Sequence, residues 1–135
     1  MTMTIKPGSR PWHKHYRDGI RPDYVPEDTT LSAILTKAFD TWGDQLFIEY
    51  YGQSFTYTEM KAKVAEVAAA LKAFGIEKGD RVALAMRNLP EWPVAFFAAT
   101  TIGAICVPLN AWWTGPELAF GLANSGAKLL VCDAE

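Results

Sequence analysis

The sequence lacks the features that mark several common functional classes. Its 135 residues hold two cysteines, Cys106 and Cys132, without Cys-x-x-Cys spacing, so neither a zinc site, a redox pair nor a disulfide framework is predicted. Both lie in apolar runs, and we expect them to pack as reduced thiols; a reactive thiol is the less favoured alternative. Thirteen Lys and Arg against fifteen Asp and Glu give a net charge of −2, so no basic surface for nucleic acid is expected.

Signals for secretion and for crossing a membrane are also missing. Residues 1–8 contain neither an apolar core region nor a small-residue cleavage site. The most apolar stretch, residues 92–109, barely reaches the roughly 20 residues of a spanning helix and is interrupted by Pro93, Gly103 and Pro108. We therefore expect a cytoplasmic protein with no transmembrane segment, while peripheral membrane contact and a homodimer remain open.

Glycine-rich loops that bind phosphate are absent as well. Neither Gly-x-Gly-x-x-Gly nor Gly-x-x-x-x-Gly-Lys-Ser/Thr occurs, and such loops are what lets backbone N–H groups approach phosphate oxygens closely. His13 and His15 have a spacing that could hold a metal, but they lack a nearby third ligand, so a solvated loop is favoured. No catalytic, cofactor-binding or metal-binding residue is assigned.

What the sequence does contain is the composition of one globular domain. Half of the residues are hydrophobic, 13% are aromatic and 21% are charged, which is enough to bury a core. Residues 1–30 mix prolines, glycines and arginines without an apolar period and are predicted to be an irregular leader. A helix is predicted next, with Thr30 as a candidate cap and Gly43 as its end. Its inward face is expected to comprise Leu31, Ile34, Leu35, Ala38, Phe39 and Trp42.

A hairpin and a second helix are predicted to follow. Aromatic β-formers at 47–51 and 54–57 flank Gly52-Gln53, which we expect to be an exposed turn. Thr56 and Glu59 have the spacing of a capping box, and Ile76 suits the hydrophobic contact of a helix C-cap after Gly75. The residues expected to share the apolar face of this helix are Met60, Val64, Val67, Ala68, Leu71 and Phe74.

Beyond residue 80 short apolar strands alternate with helices, which predicts an α/β fold with a parallel βαβαβ unit. The predicted strands are 81–86, 105–109 and 129–132; one helix is predicted at 92–102 and a second between Thr114 and Gly126. Asn88 and Glu91 are candidate caps of the first of these helices. Thr114 and Glu117 form a second capping box, and Gly126 ends the second helix.

The series stops soon after its third strand, without the helix that usually follows, although parallel strands need cover on both faces. We therefore expect residues 31–135 to be an incomplete, N-terminal part of a larger domain. The apolar members of consecutive elements are expected to be buried, namely Leu84, Phe96, Val107 and Val131. Val107→Asp is accordingly expected to destabilise the fold by several kcal/mol.

Acidic side chains and a tryptophan pair are the remaining candidates for a functional role. Four glutamates could supply a general acid or base: Glu49, Glu59, Glu91 and Glu117. Two of them occupy capping-box positions and Glu91 occupies an analogous cap, so a structural role accounts for most of them. Trp112 and Trp113, beside Asn110, follow the second parallel strand, and loops at the carboxyl ends of parallel strands host ligands. For this pair packing is favoured over ligand contact, and both stay open.

Six segments carry a family resemblance: 55–59 (FTYTE), 75–83 (GIEKGDRVA), 88–92 (NLPEW), 102–110 (IGAICVPLN), 117–118 (EL) and 125–128 (SGAK). In this order and spacing they resemble the AMP-forming acyl-CoA synthetases, the adenylate-forming superfamily that also contains firefly luciferase and the adenylation domains of peptide synthetases. Segments 10–16 (RPWHKHY) and 110–114 (NAWWT) are similar to bacterial medium- and long-chain fatty-acyl-CoA ligases.

This resemblance implies an ATP-dependent ligase that works in two steps. A carboxylate, here of a fatty acid, attacks the α-phosphate of ATP-Mg²⁺ to give an acyl-adenylate and pyrophosphate, and the thiol of coenzyme A then displaces AMP. In that family the phosphate loop, the adenine- and ribose-binding residues and the lysine of the C-terminal domain all lie beyond residue 135. The resemblance therefore implies that this segment is scaffold and inactive alone. A self-standing, non-catalytic α/β binding or interaction module is the alternative.

Overall fold

Four helices and five strands follow one another between residues 30 and 134, the part of the chain that this computed structural model describes. They are α1 (Leu31–Trp42), β1 (Leu46–Tyr50), β2 (Gln53–Thr56), α2 (Tyr57–Ala73), β3 (Arg81–Ala85), α3 (Glu91–Thr101), β4 (Ile105–Pro108), α4 (Gly115–Ser125) and β5 (Leu129–Cys132). This order confirms the predicted α/β succession. The predicted leader, His13 and His15 lie outside the described residues. None of the helices described is both long and apolar enough to span a bilayer.

The hairpin of β1 and β2 turns one residue earlier than predicted. Tyr50 pairs with Gln53, so the two residues of the turn are Tyr51 and Gly52 and not Gly52-Gln53. Both have positive φ, 44° and 81°, which is the requirement of a type I′ turn and matches the twist of an antiparallel pair. Tyrosine rarely adopts this conformation, which is why its position gave no turn signal. The exposure of the turn is confirmed.

Local capping signals set both ends of α2. The Thr56 hydroxyl accepts from the Glu59 N–H at 3.2 Å, and the Glu59 carboxylate accepts from the Thr56 N–H at 2.7 Å, so the capping box is confirmed. At the other end Gly75 has φ of 78° and the Ile76 N–H donates to the Leu71 carbonyl, which makes a Schellman motif. Ile76 is buried as predicted. Phe74 was wrongly assigned to the apolar face, because it lies beyond the last turn and is 73% exposed.

The parallel sheet has the order β4-β3-β5, with β3 in the middle. The chain leaves β3 towards β4 on one side and then returns across β3 to reach β5 on the other. Because such crossovers are right-handed almost without exception, this reversal places α3 and α4 on opposite faces of the sheet. On its own face α3 packs against α1 and α2, whereas α4 carries no buried residue.

This unequal cover decides which predicted core residues are buried. Leu84 is fully buried, on the same face of β3 as the main hydrophobic cluster. Val107 aligns with Ala83, which belongs to the other face, and it is half-buried because α4 covers that face thinly. Val131 packs against the cluster but lies on an edge strand, and Phe96 lies along one side of α3; both are half-buried. The prediction of full burial was therefore right for Leu84 alone.

Two helix details also differ from the prediction. On α1 the buried residues are Leu35 and Phe39, while the other large members of the predicted inward face, Leu31, Ile34 and Trp42, are 43–47% exposed. The helix α3 begins at Glu91 after Pro90 as its N-cap residue, and no side chain bonds to this cap. Asn88 is thus not a cap, because it lies two residues before the N-cap position.

Candidate functional site

The carboxyl ends of the three parallel strands meet at one edge of the sheet. The loop after β3, the loop after β4 and the first residues after β5 therefore lie side by side. At this edge the strand order reverses, because the chain passes from β3 to β4 and then back across β3 to β5, and open α/β sheets bind ligands at such a switch point. We call this region the carboxyl edge.

An ion pair joins two of these loops. The Arg87 Nε donates to Asp133 Oδ2, and the Arg87 backbone N–H donates to Oδ1 at 3.4 Å. The hydrogen bond from the Arg87 side chain holds the pKa of the Asp133 carboxyl below its usual range. The pair fixes the loop after β3 against the end of β5. No sequence signal pointed to it, because the partners are 46 residues apart.

The two neighbouring tryptophans have different environments. Trp113 packs on α4, and a Cβ on Gly121 would come within 2.7 Å of its ring, so glycine at that position makes room for the indole. Trp112 is 80% exposed. Its backbone N–H donates to the Asn110 side-chain oxygen at 2.9 Å, and the Trp113 N–H donates to the Asn110 carbonyl at 3.2 Å. Trp113, which is 38% exposed, thus packs partly on α4, and Trp112 is left as a candidate for ligand contact.

A cleft of about 630 Å³ lies at the carboxyl edge. It is lined by the hairpin turn, by the loop and helix start after β3 and by the loop after β4. The aromatic residues among its lining are Tyr50, Tyr51, Trp92 and Trp112. A smaller pocket of about 190 Å³ lies between α2 and the start of α3, next to Lys63 and Glu66. The carboxyl edge is therefore the candidate site.

The residues at this edge do not fit the phosphates of a nucleotide. The turn after β3 contains no glycine, is closed by a bond from the Leu89 N–H to the Arg87 carbonyl and continues into the buried ring of Pro90. In residues 30–134 no three His, Cys, Asp or Glu side chains cluster as metal ligands. We therefore derive no step through ATP or Mg²⁺ from the described residues.

The other candidates of the sequence have structural environments. Hydrogen bonds from Thr56 lower the pKa of Glu59, and hydrogen bonds from Thr114 lower that of Glu117, so both are capping carboxylates. Burial raises the pKa of the Cys106 thiol to about 11, as expected for a packed thiol. Cys132 is exposed, contrary to the prediction, because it aligns with Ala85 on the face of the sheet that α4 covers thinly. Glu49 is exposed on β1 and Glu91 opens α3.

Comparison with known proteins decides the family. A model of the AMP-binding enzyme family matches residues 35–135. The chain belongs to the AMP-binding enzyme family. This membership confirms the resemblance carried by the sequence segments, which lie almost entirely inside the matched range.

Similar proteins and solved structures agree with this family membership. The acyl-CoA ligase sidI of Aspergillus fumigatus is 38% identical over 105 residues, which are 76% of this chain and 18% of that protein. The long-chain-fatty-acid–CoA ligase FadD13 of Mycobacterium tuberculosis is 43% identical over 79 residues, 58% of this chain and 16% of that protein. The crystal structure of the N-terminal domain of FACL13 from M. tuberculosis superimposes with a TM-score of 0.73 at 32% identity, covering 77% of this chain and 27% of that one. The chain spans about a fifth of the length of its curated relatives.

Proposed function

We propose that this chain is the N-terminal scaffold of an ATP-dependent acid–thiol ligase. The whole enzyme activates a carboxylic acid as an acyl-adenylate and transfers the acyl group to coenzyme A. The observation that carries the proposal is the match of residues 35–135 to the AMP-binding enzyme family. Relatives named as acyl-CoA ligases support the thiol acceptor, and the relatives named as long-chain-fatty-acid–CoA ligases support a fatty acid as the substrate.

In this proposal residues 31–135 form one part of a larger AMP-binding domain and are inactive on their own. The absence of a glycine-rich turn and of a metal-ligand cluster from residues 30–134 supports this division of labour. ATP, Mg²⁺ and coenzyme A then bind to residues of the longer protein, which we place in the cytoplasm. The described residues supply a rigid parallel sheet, and the carboxyl edge of that sheet faces the site that the whole enzyme completes.

Two measurements test the proposal. Calorimetry on the 135-residue chain is expected to detect no binding of ATP or AMP, because no loop cradles phosphate; micromolar affinity would contradict the scaffold role. The product of the coding sequence extended past codon 135 is expected to release pyrophosphate from ATP on addition of a fatty acid, and to form acyl-CoA when coenzyme A is present. A longer product that folds but releases no pyrophosphate with any acid would refute the ligase, and an immediate stop codon would favour the self-standing module.

A further inference from the structure

Two ion pairs bracket the neighbouring strands β3 and β5. At the amino ends of these strands Lys128 Nζ donates to Asp80 Oδ2 at 2.8 Å, and we call this contact the amino-edge pair. At the carboxyl ends Arg87 Nε donates to Asp133 Oδ2, and this contact is the carboxyl-edge pair. In each pair one partner lies within two residues of β3 and the other adjoins β5. The two pairs therefore join the same two strands at opposite ends.

The alignment of β3 with β5 is specified without the carboxyl-edge pair. Each of the four residues of β5 aligns with a residue of β3, and a slip by one residue would turn every side chain of β5 to the other face. At the amino end the Lys128 N–H donates to the Arg81 carbonyl at 2.8 Å. The Lys128 side chain also donates to the Gly75 carbonyl, in the turn after α2, at 2.8 Å. What the carboxyl-edge pair adds is the position of the loop after β3.

This loop, residues 86–90, separates two clefts. The cleft of about 630 Å³ lies on its β4 side, and a second cleft of about 400 Å³ lies on its β5 side, next to Asp133. Met86 and Leu89 line both clefts. A shift of the loop would therefore widen one cleft and narrow the other.

The Asp133 carboxylate holds both the backbone and the side chain of Arg87. Its Oδ1 accepts from the Arg87 backbone N–H at 3.4 Å, and its Oδ2 accepts from Nε. The side chains of this pair are 35% and 13% exposed, whereas those of Lys128 and Asp80 are 50% and 26% exposed. Because partly buried charges are screened less than exposed ones, the carboxyl-edge pair is the stronger of the two. The loop after β3 is thus held in one place against the end of β5.

We propose that Arg87 and Asp133 are positioning residues of the proposed ligase. Their ion pair holds the loop after β3 where both clefts have the shape that the reaction requires, and neither side chain is assigned contact with a reacting atom. The inference rests on the proposed function, in which the carboxyl edge faces the site of the whole enzyme. Since a misplacement of about 1 Å can lower a rate by about 100-fold, a small shift of this loop is enough to be measured.

The first test compares the two ion pairs in the longer gene product. Asp133→Asn removes one charge of the carboxyl-edge pair and keeps an oxygen for the Arg87 N–H, while Asp80→Asn does the same at the amino edge and keeps an oxygen for the Glu77 N–H. Asp133→Asn is expected to lower kcat for pyrophosphate release by about tenfold or more and to change the KM for ATP by less than about threefold, because geometry and not ATP binding is altered.

Asp80→Asn is the matched control for a purely structural role. It is expected to lower the urea midpoint of unfolding, as Asp133→Asn does, but to leave kcat per folded enzyme unchanged. An unchanged kcat in Asp133→Asn, or an equal fall of kcat in both variants, would overturn the proposal.

Two variants of Arg87 provide a second comparison, which holds even if Asp133→Asn does not fold. Arg87→Lys keeps the positive charge and Arg87→Gln removes it, while both keep the backbone N–H that bonds to Asp133. Arg87→Lys is expected to retain at least about threefold more kcat per folded enzyme than Arg87→Gln, because a cation still pairs with the carboxylate. Equal kcat values of the two variants would overturn the positioning role.

The outcomes separate this inference from the ligase proposal. If the unaltered longer product folds but releases no pyrophosphate with any acid, the proposed function fails and the positioning role fails with it. If the longer product is an active ligase in which Asp133→Asn and Asp80→Asn have the kcat of the parent, the positioning role fails alone. An active ligase in which only the variants of the carboxyl-edge pair lose kcat supports both.

Discussion

Leu84→Ala tests whether β3 is the centre of the sheet. Leu84 is 0% exposed, aligns with Pro108 of β4 on one side and Val131 of β5 on the other, and belongs to the main hydrophobic cluster. The substitution removes three buried carbons, which at about 0.8 kcal/mol each gives roughly 2.4 kcal/mol of lost transfer free energy. Strands on both sides limit collapse of the cavity, so we expect a total loss of about 3–4 kcal/mol.

The matched control for this variant is Ile105→Ala on β4. It also removes three carbons, but Ile105 is 52% exposed, so the expected loss is about 1 kcal/mol. Urea unfolding followed by circular dichroism measures both variants, and the Leu84→Ala midpoint should fall by about 1–3 M with an unchanged slope. If the two variants lost equal stability, β3 would not be the buried central strand and the sheet order would be wrong.

Three further perturbations follow from the described contacts. Gly126→Ala is expected to cost about 1 kcal/mol, because φ is 63° and the new Cβ would lie 3.0 Å from Arg81 Nη2; Gly115→Ala, with open space around it, should be neutral in the same urea assay. The pKa values of Glu59 and Glu117 are lower in the folded chain than the unfolded value of 4.5, so the two carboxylates stabilise the fold above that pH. This stabilisation is lost as pH falls through the folded pKa values. The double variant Glu59→Gln/Glu117→Gln should therefore show a smaller drop of the urea midpoint between pH 6 and pH 3 than the parent chain. The chain should bind a hydrophobic dye and self-associate, since large apolar residues such as Phe74, Phe120 and Leu46 are 54–73% exposed; a dye-free monomer in sedimentation would contradict this and favour the self-standing module.

The features that could be predicted from the sequence are those set by near neighbours in the chain. Thr56 with Glu59 and Thr114 with Glu117 form capping interactions three residues apart, so their spacing alone located the starts of α2 and α4. The strand β5 was predicted at its observed bounds because turn and cap residues enclose a short apolar run. The family segments are likewise contiguous stretches that need no tertiary information.

The features that could not be predicted depend on distant partners. Whether Val107 is buried is decided by how well α4 covers its face of the sheet, and no periodicity in residues 105–108 carries that information. The Arg87–Asp133 ion pair requires β3 and β5 to be neighbours, which the order of elements along the chain does not reveal. The turn at Tyr51 was misplaced because its conformation opposes the preference of the residue that adopts it.

The strand order β4-β3-β5 also has a consequence for the newly synthesised protein. The middle strand β3 is made first, and β4 can cover one of its edges soon afterwards. The second edge stays open until the ribosome has produced α4 and β5, which at about 5–20 residues per second takes roughly 2–10 s after β3 is complete. During that interval the backbone of Arg81 and Ala83, which faces the β5 side, can pair with any other extended segment. A nascent chain paused in α4 should therefore be the species most dependent on chaperones.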